Sequence, residues 1–126
     1  MFELMVKSDF ASAHNLRDYK GKCEHLHGHN YTVEAYFESE KLAENGLAVD
    51  FAVLKKALGA ITEELDHKYL NEDIAFFREN NTSAENIARY IFDSLKGKTP
   101  NTEIIKVCVF ESEKARACYY EKRSGI

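Results

Sequence analysis

Between Cys23 and Asn30 the chain reads CEHLHGHN, with His25, His27 and His29 at every second position and Cys23 four residues ahead of His27. The whole sequence holds only 5 His and 3 Cys, so groups able to bind a metal or carry a proton are concentrated in one short stretch. In an extended chain, side chains two apart share a face. His27 and His29 can therefore address one ion, while Gly28 lets other groups approach closely. Neutral imidazole binds zinc at about 2.0–2.1 Å, and two histidines on one strand need a third ligand from elsewhere. His14 is the candidate for that third ligand. Spacing alone does not exclude His25, and a histidine-rich surface loop is the plainer alternative.

Two further constellations carry chemistry. Asp66 and His67 stand side by side where a helical pattern ends, a carboxylate able to orient an imidazole or simply two polar helix-end residues. Glu111 continues the apolar face of Val107 and Val109 in a strand pattern, where a carboxylate must be paired or must line a pocket that binds something.

The elements that position these residues follow from periodicity. Phe2, Leu4, Val6, Phe10, Ser12 and His14 share one face of a first strand, and His27, His29, Tyr31, Val33, Ala35 and Phe37 share one face of a second, running to about Glu38. The histidines thus extend apolar faces. Asp50 is placed to cap a helix with Leu54, Leu58, Ile61 and Leu65 on its buried stripe. Residues 72–81 read as an irregular connection, with Phe76 and Phe77 turned inward. Thr82 to Glu85 spell a capping box before a second helix carrying Ala84, Ile87, Ala88, Ile91, Phe92 and Leu95, which Gly97 stops. Two strands follow, one through Ile104 to Glu111 and one from Arg116 to Glu121, joined through Ser112, Glu113 and Lys114. The plan is α+β in the order ββααββ: a four-stranded antiparallel sheet with two helices on one face. Apolar residues on both strand faces, with helices to cover only one, predict that the other face meets another subunit.

Length and composition agree with one domain: 126 residues, 44% hydrophobic and 30% charged. A net charge of −4 and the lack of a basic stripe argue against a general nucleic-acid binder. No apolar run reaches the roughly 20 residues that span a bilayer, and the first residues alternate, so a cytoplasmic protein is expected. An odd number of cysteines in that setting predicts reduced thiols at Cys23, Cys108 and Cys118 rather than a disulfide framework.

Six segments in order, FASAH (Phe10–His14), CEHLHGHN (Cys23–Asn30), VDF (Val49–Phe51), LDHKYLN (Leu65–Asn71), TSAEN (Thr82–Asn86) and VCVFE (Val107–Glu111), resemble the 6-pyruvoyl-tetrahydropterin and 6-carboxytetrahydropterin synthases of the tunnelling fold. The resemblance covers nearly the whole chain. It implies a Zn2+ held by His14, His27 and His29 with His25 unconstrained, Cys23 as catalytic thiol, and Asp66 and His67 as a proton-relay pair. It further implies Glu111 as anchor of a pterin ring, Thr82 and Ser83 beside the substrate, and a barrel-like homo-oligomer, a hexamer of two trimers. The four-residue step from Cys23 to His27 is similar to the carboxy-forming branch, the pyruvoyl branch typically having six. That branch acts on a pterin triphosphate in queuosine precursor synthesis. A pyruvoyl-forming enzyme and a non-catalytic pterin or zinc binder of the same fold are the alternatives. Asn81 departs from relatives that often carry Pro before Thr-Ser, and the connection from Glu72 to Asn81 matches no assigned pattern.

Overall fold

The computed structural model describes residues 1–18, 21 and 25–122, so Cys23 lies outside the described residues. Two 13-residue strands form its centre. β1 (Phe2–His14) and β2 (His27–Ser39) pair antiparallel, from Phe2 opposite Ser39 to His14 opposite His27. Their register is set by burial: Val6, Phe10, Tyr31, Val33, Ala35 and Phe37 all lie on the core face, and a slip of one residue would turn one strand's set to the opposite side. β4 (Glu103–Ser112) pairs antiparallel with β2, and β5 (Ala115–Tyr119) with β4.

Helices α1 (Phe51–Leu65) and α4 (Ala84–Leu95) close that core. The Asp50 carboxylate caps α1, accepting from the Ala52 N–H at 2.9 Å, and Leu54, Leu58, Ile61 and Leu65 are buried beneath it. In α4 the cap is Ser83, whose hydroxyl accepts from the Asn86 N–H at 3.2 Å. The cap thus falls one residue beyond the expected box, because the Thr82 hydroxyl is committed to Asn15. Gly97, at φ +69°, ends the helix, and the Lys98 N–H returns to the Leu95 carbonyl.

The expected four-stranded antiparallel sheet is corrected to a five-stranded mixed one: with Lys68–Tyr69 as β3, the order is β3-β1-β2-β4-β5. The added β3 (Lys68–Tyr69) runs parallel to β1 at Ser12 and Ala13. The connection expected to be irregular holds two short helices, α2 (Leu70–Asp73) and α3 (Ala75–Glu79), burying Leu70, Ile74 and Phe77. A two-residue strand shows no alternation, and helices of 4 and 5 residues are too short to show a period.

The cysteine expectation is also corrected: Cys108 and Cys118 are joined by a disulfide. They stand directly opposite each other in the β4–β5 ladder, where Cβ atoms are close enough to bridge.

The sheet face away from the helices is less apolar than alternation suggested. Glu34 there accepts from the Tyr36 hydroxyl at 2.8 Å and pairs with Lys7 and Arg116, each at 3.4 Å. A wet face is ordinary for a largely antiparallel sheet. Among the described residues no helix is long and apolar enough to cross a membrane.

Candidate active site

The end of β1 and the start of β2 bring three imidazoles together. His14 Nε2 lies 3.0 Å from His27 Nε2, which lies 3.0 Å from His29 Nε2, and the three donor atoms all fall within 4.8 Å of one another. The Nδ1 N–H of His14 donates to the Thr82 carbonyl at 2.8 Å, and that of His27 to the His25 carbonyl at 2.7 Å. With Nδ1 occupied in these two, their Nε2 lone pairs turn inward, towards His29 Nε2. Converging lone pairs repel unless a cation sits among them. Tetrahedral zinc at about 2.0–2.1 Å sets its nitrogens roughly 3.3 Å apart, so the donor set fits that ion. His25 takes part through its backbone only in this contact.

Electrostatics favour the ligand form at two of the three. Burial pulls the pKa of His14 below the ordinary imidazole value, against the opposing pull of the Thr82 carbonyl and Glu111. Burial likewise lowers His29, with Glu111 opposing it. Both therefore favour the neutral imidazole that a metal requires.

Glu111 sits in β4 two residues beyond the buried Val109, half-buried and still within the strand. Its negative charge favours the protonated form of His14 and His29, opposing the lowering that burial causes. A cleft of about 300 Å³ opens over it, lined also by Leu16, Ser83, Ala84 and Arg116. Thr82 is fully buried. Its hydroxyl donates to the Asn15 carbonyl at 3.1 Å and lies 3.3 Å from Asn71 Oδ1, so it faces the interior and its carbonyl faces His14.

Asp66 and His67 form a pair at the edge of the sheet. Asp66 caps the C-terminus of α1; its Oδ1 accepts from the Ala11 N–H at 2.8 Å and its Oδ2 from His67 Nδ1 at 2.7 Å. The Ala11 N–H, and then the His67 bond, hold the Asp66 carboxyl below its usual range. His67 has φ +54° and its N–H is tied to the Ala11 carbonyl at 2.6 Å. A non-glycine residue in that region is strained, and the surrounding bonds keep it there. The imidazole itself is 84% exposed. It lines, with His29, Asn30 and Lys68, a cleft of about 430 Å³. Among the described residues no hydrogen bond joins this pair to the three histidines.

One chain thus assembles His14, His27, His29 and Glu111, sets Ser83 beside Glu111, and holds Asp66 and His67 apart at the β1 edge. Sequence reasoning passed over Asn15 and Asn71 as site residues and noted Asn81 only as a departure, yet the side chains of Asn71 and Asn81 fasten the backbone of Asn15 and Arg17 in the segment that follows His14. The only available signal was that Asn71 closes the LDHKYLN segment.

Comparison with known proteins gives one consistent result. The family model of 6-pyruvoyl tetrahydropterin synthase matches residues 3–122. A Synechocystis protein named 6-carboxy-5,6,7,8-tetrahydropterin synthase is 38% identical over 101 residues, 76% of each chain. The human 6-pyruvoyl tetrahydrobiopterin synthase is 38% identical over 96 residues, 74% of this chain and 66% of its own. The solved structure of the Caenorhabditis elegans 6-pyruvoyl tetrahydropterin synthase superposes with a TM-score of 0.85 at 27% identity, covering 96% of both chains. Sequence, fold and the histidine cluster at the β1–β2 junction agree, and the chain belongs to the 6-pyruvoyl tetrahydropterin synthase family.

Proposed function

We propose that the protein is a zinc-dependent 6-carboxy-5,6,7,8-tetrahydropterin synthase. It would convert 7,8-dihydroneopterin triphosphate and one water to 6-carboxytetrahydropterin, acetaldehyde and triphosphate, in the cytoplasm and in the service of queuosine synthesis. The observation that carries the reading is the convergence of His14, His27 and His29 next to a carboxylate, Glu111, that lines a cleft with Ser83. Relatives bear both the carboxy- and the pyruvoyl-forming names. The four-residue step from Cys23 to His27 favours the former.

His14, His27 and His29 would hold the zinc, which when bound supplies Lewis acidity to the vicinal hydroxyls of the substrate side chain. Glu111 accepts hydrogen bonds from the 2-amino group and the adjacent ring N–H of the pterin, a pairing suited to two parallel donors. Ser83 lies beside that ring, and Thr82 supports it by fixing the backbone there. Cys23, as thiolate, takes a proton from the side chain. His67, oriented through Nδ1 by Asp66, presents Nε2 as the second acid–base group. Because Asp66 and His67 stand exposed at the β1 edge, the complete site is proposed to form between subunits of a homo-oligomer.

Incubation of the zinc-loaded protein with 7,8-dihydroneopterin triphosphate, followed by mass analysis, tests the reading. The expected product is the 6-carboxy compound with acetaldehyde. The 6-pyruvoyl compound would assign the protein to the other branch, and recovery of unchanged substrate from metal-replete oligomer would leave a binding protein.

A further inference from the structure

Beyond His14 the chain leaves β2 but keeps strand-like bonding on its other side. In extended backbone the N–H and C=O of one residue point the same way, and alternate residues repeat that direction. The Asn71 carboxamide meets both groups of Asn15: Oδ1 accepts from its N–H at 3.0 Å, and Nδ2 donates to its C=O at 2.8 Å. Two residues on, the Asn81 carboxamide does the same for Arg17, at 2.9 Å in both directions. Two side-chain amides thus continue the role that β3 plays against Ser12 and Ala13.

The Asn71 grip also reaches the metal centre. Asn71 is more than nine-tenths buried, and its Oδ1 lies 3.3 Å from the Thr82 hydroxyl, which itself donates to the Asn15 carbonyl. Thr82 therefore holds two successive residues of the β1 terminus, Asn15 through its hydroxyl and His14 through its carbonyl. We propose that Asn71 is a positioning residue of the metal centre: by clamping the Asn15 peptide and the Thr82 hydroxyl together, it fixes the carbonyl that orients the His14 ring. A buried amide satisfied on both sides is rigid, and loss of one partner leaves peptide groups without bonds in a dry site. The inference rests on the reading of His14, His27 and His29 as metal ligands.

Cobalt(II) titration of the full chain in competition with a chelator tests it, with the visible bands reporting coordination geometry. Asn71→Asp keeps the acceptor for the Asn15 N–H and replaces the donor to its carbonyl with an oxygen. It is expected to bind Co2+ roughly 10–100-fold more weakly, the usual effect of losing an outer-shell partner, with altered bands and a shifted His14 Nδ1–H resonance. Ile91→Val, a truncation of a buried α4 residue remote from the clamp, controls for lost stability and should bind Co2+ as the parent does. If Asn71→Asp does not fold, Thr82→Val removes the shared hydroxyl and should weaken Co2+ by several-fold with the same resonance shift. Parent-like affinity and bands in whichever variant folds overturn the inference while the metal reading stands. Parent protein that takes up no Co2+, or His27→Ala that takes it up like the parent, overturns the metal reading instead.

Discussion

At the scale of single residues, the site is governed by what each polar side chain already touches. The His27 Nε2 stands 3.0 Å from both neighbouring imidazoles, so His27→Ala should remove the shared ligand and leave no bound zinc by metal analysis. Full zinc in that variant would sink the ligand set. Glu111→Gln keeps the shape and removes the charge. It should weaken substrate and simple pterins alike by about 1.5–3 kcal/mol, the worth of a charged hydrogen bond, with zinc content unchanged. Equal affinity by calorimetry would mean the ring is held elsewhere. Asp66 allows a signed pH test. Its carboxyl is depressed below its ordinary 3.8 by the Ala11 N–H and His67, so its contribution to stability is full above about pH 4 and lost as pH falls through the folded value. The stability gap between parent and Asp66→Asn, read by urea unfolding, should therefore narrow from pH 6 to pH 3; a constant gap would mean the charge contributes nothing.

At the scale of elements, what could be read from sequence was what repeats. Strand alternation placed His14, His27 and His29 on the apolar side, and 3.6-residue spacing placed Leu54, Leu58, Ile61 and Leu65 on the buried stripe of α1; His14 and the four α1 residues are buried, and His27 and His29 half-buried. β3, α2 and α3 were not legible, since elements of two to five residues take their conformation from neighbours. The Cys108–Cys118 bond was missed because counting cysteines ignores register, although both residues sit opposite across a tight hairpin. With those two bonded, alkylation of native protein without reductant should label one cysteine per chain, Cys23; labelling of all three would show the pair reduced. The α4 cap moved by one residue because Thr82 spends its hydroxyl on Asn15, a long-range contact no local motif encodes. Ser83→Ala should accordingly cost about 1 kcal/mol in denaturant unfolding, the usual loss for an N-cap.

At the scale of the whole molecule, the sheet has two unfinished edges. On β1, Ala11 turns its N–H to Asp66 and its C=O to His67, so by alternation the odd residues Glu3, Met5, Lys7 and Asp9 present their backbone groups away from β2. β3 covers only Ser12 and Ala13 of that edge, and β5 ends the sheet on the other side. Long open edges are templates for pairing. When the two edges of one chain differ, joining them head to tail gives a ring where the rotation between copies closes, and an open filament where it does not. The homo-oligomer proposed above would, on this geometry, join β1 of one copy to β5 of the next, and it would set the exposed Asp66–His67 pair of one subunit beside its neighbour. The sheet face that alternation led us to expect against another subunit carries the Glu34 ion pairs. Met5→Pro removes one outward N–H without touching the β1–β2 ladder, and proline is tolerated on edge strands. The parent should sediment as a closed oligomer, a hexamer if two trimeric rings stack, whereas Met5→Pro should sediment as smaller, folded species with unchanged circular dichroism and little turnover. A parent that sediments as a monomer at micromolar concentration, or a Met5→Pro variant of full size and activity, would remove the β1 edge from the assembly.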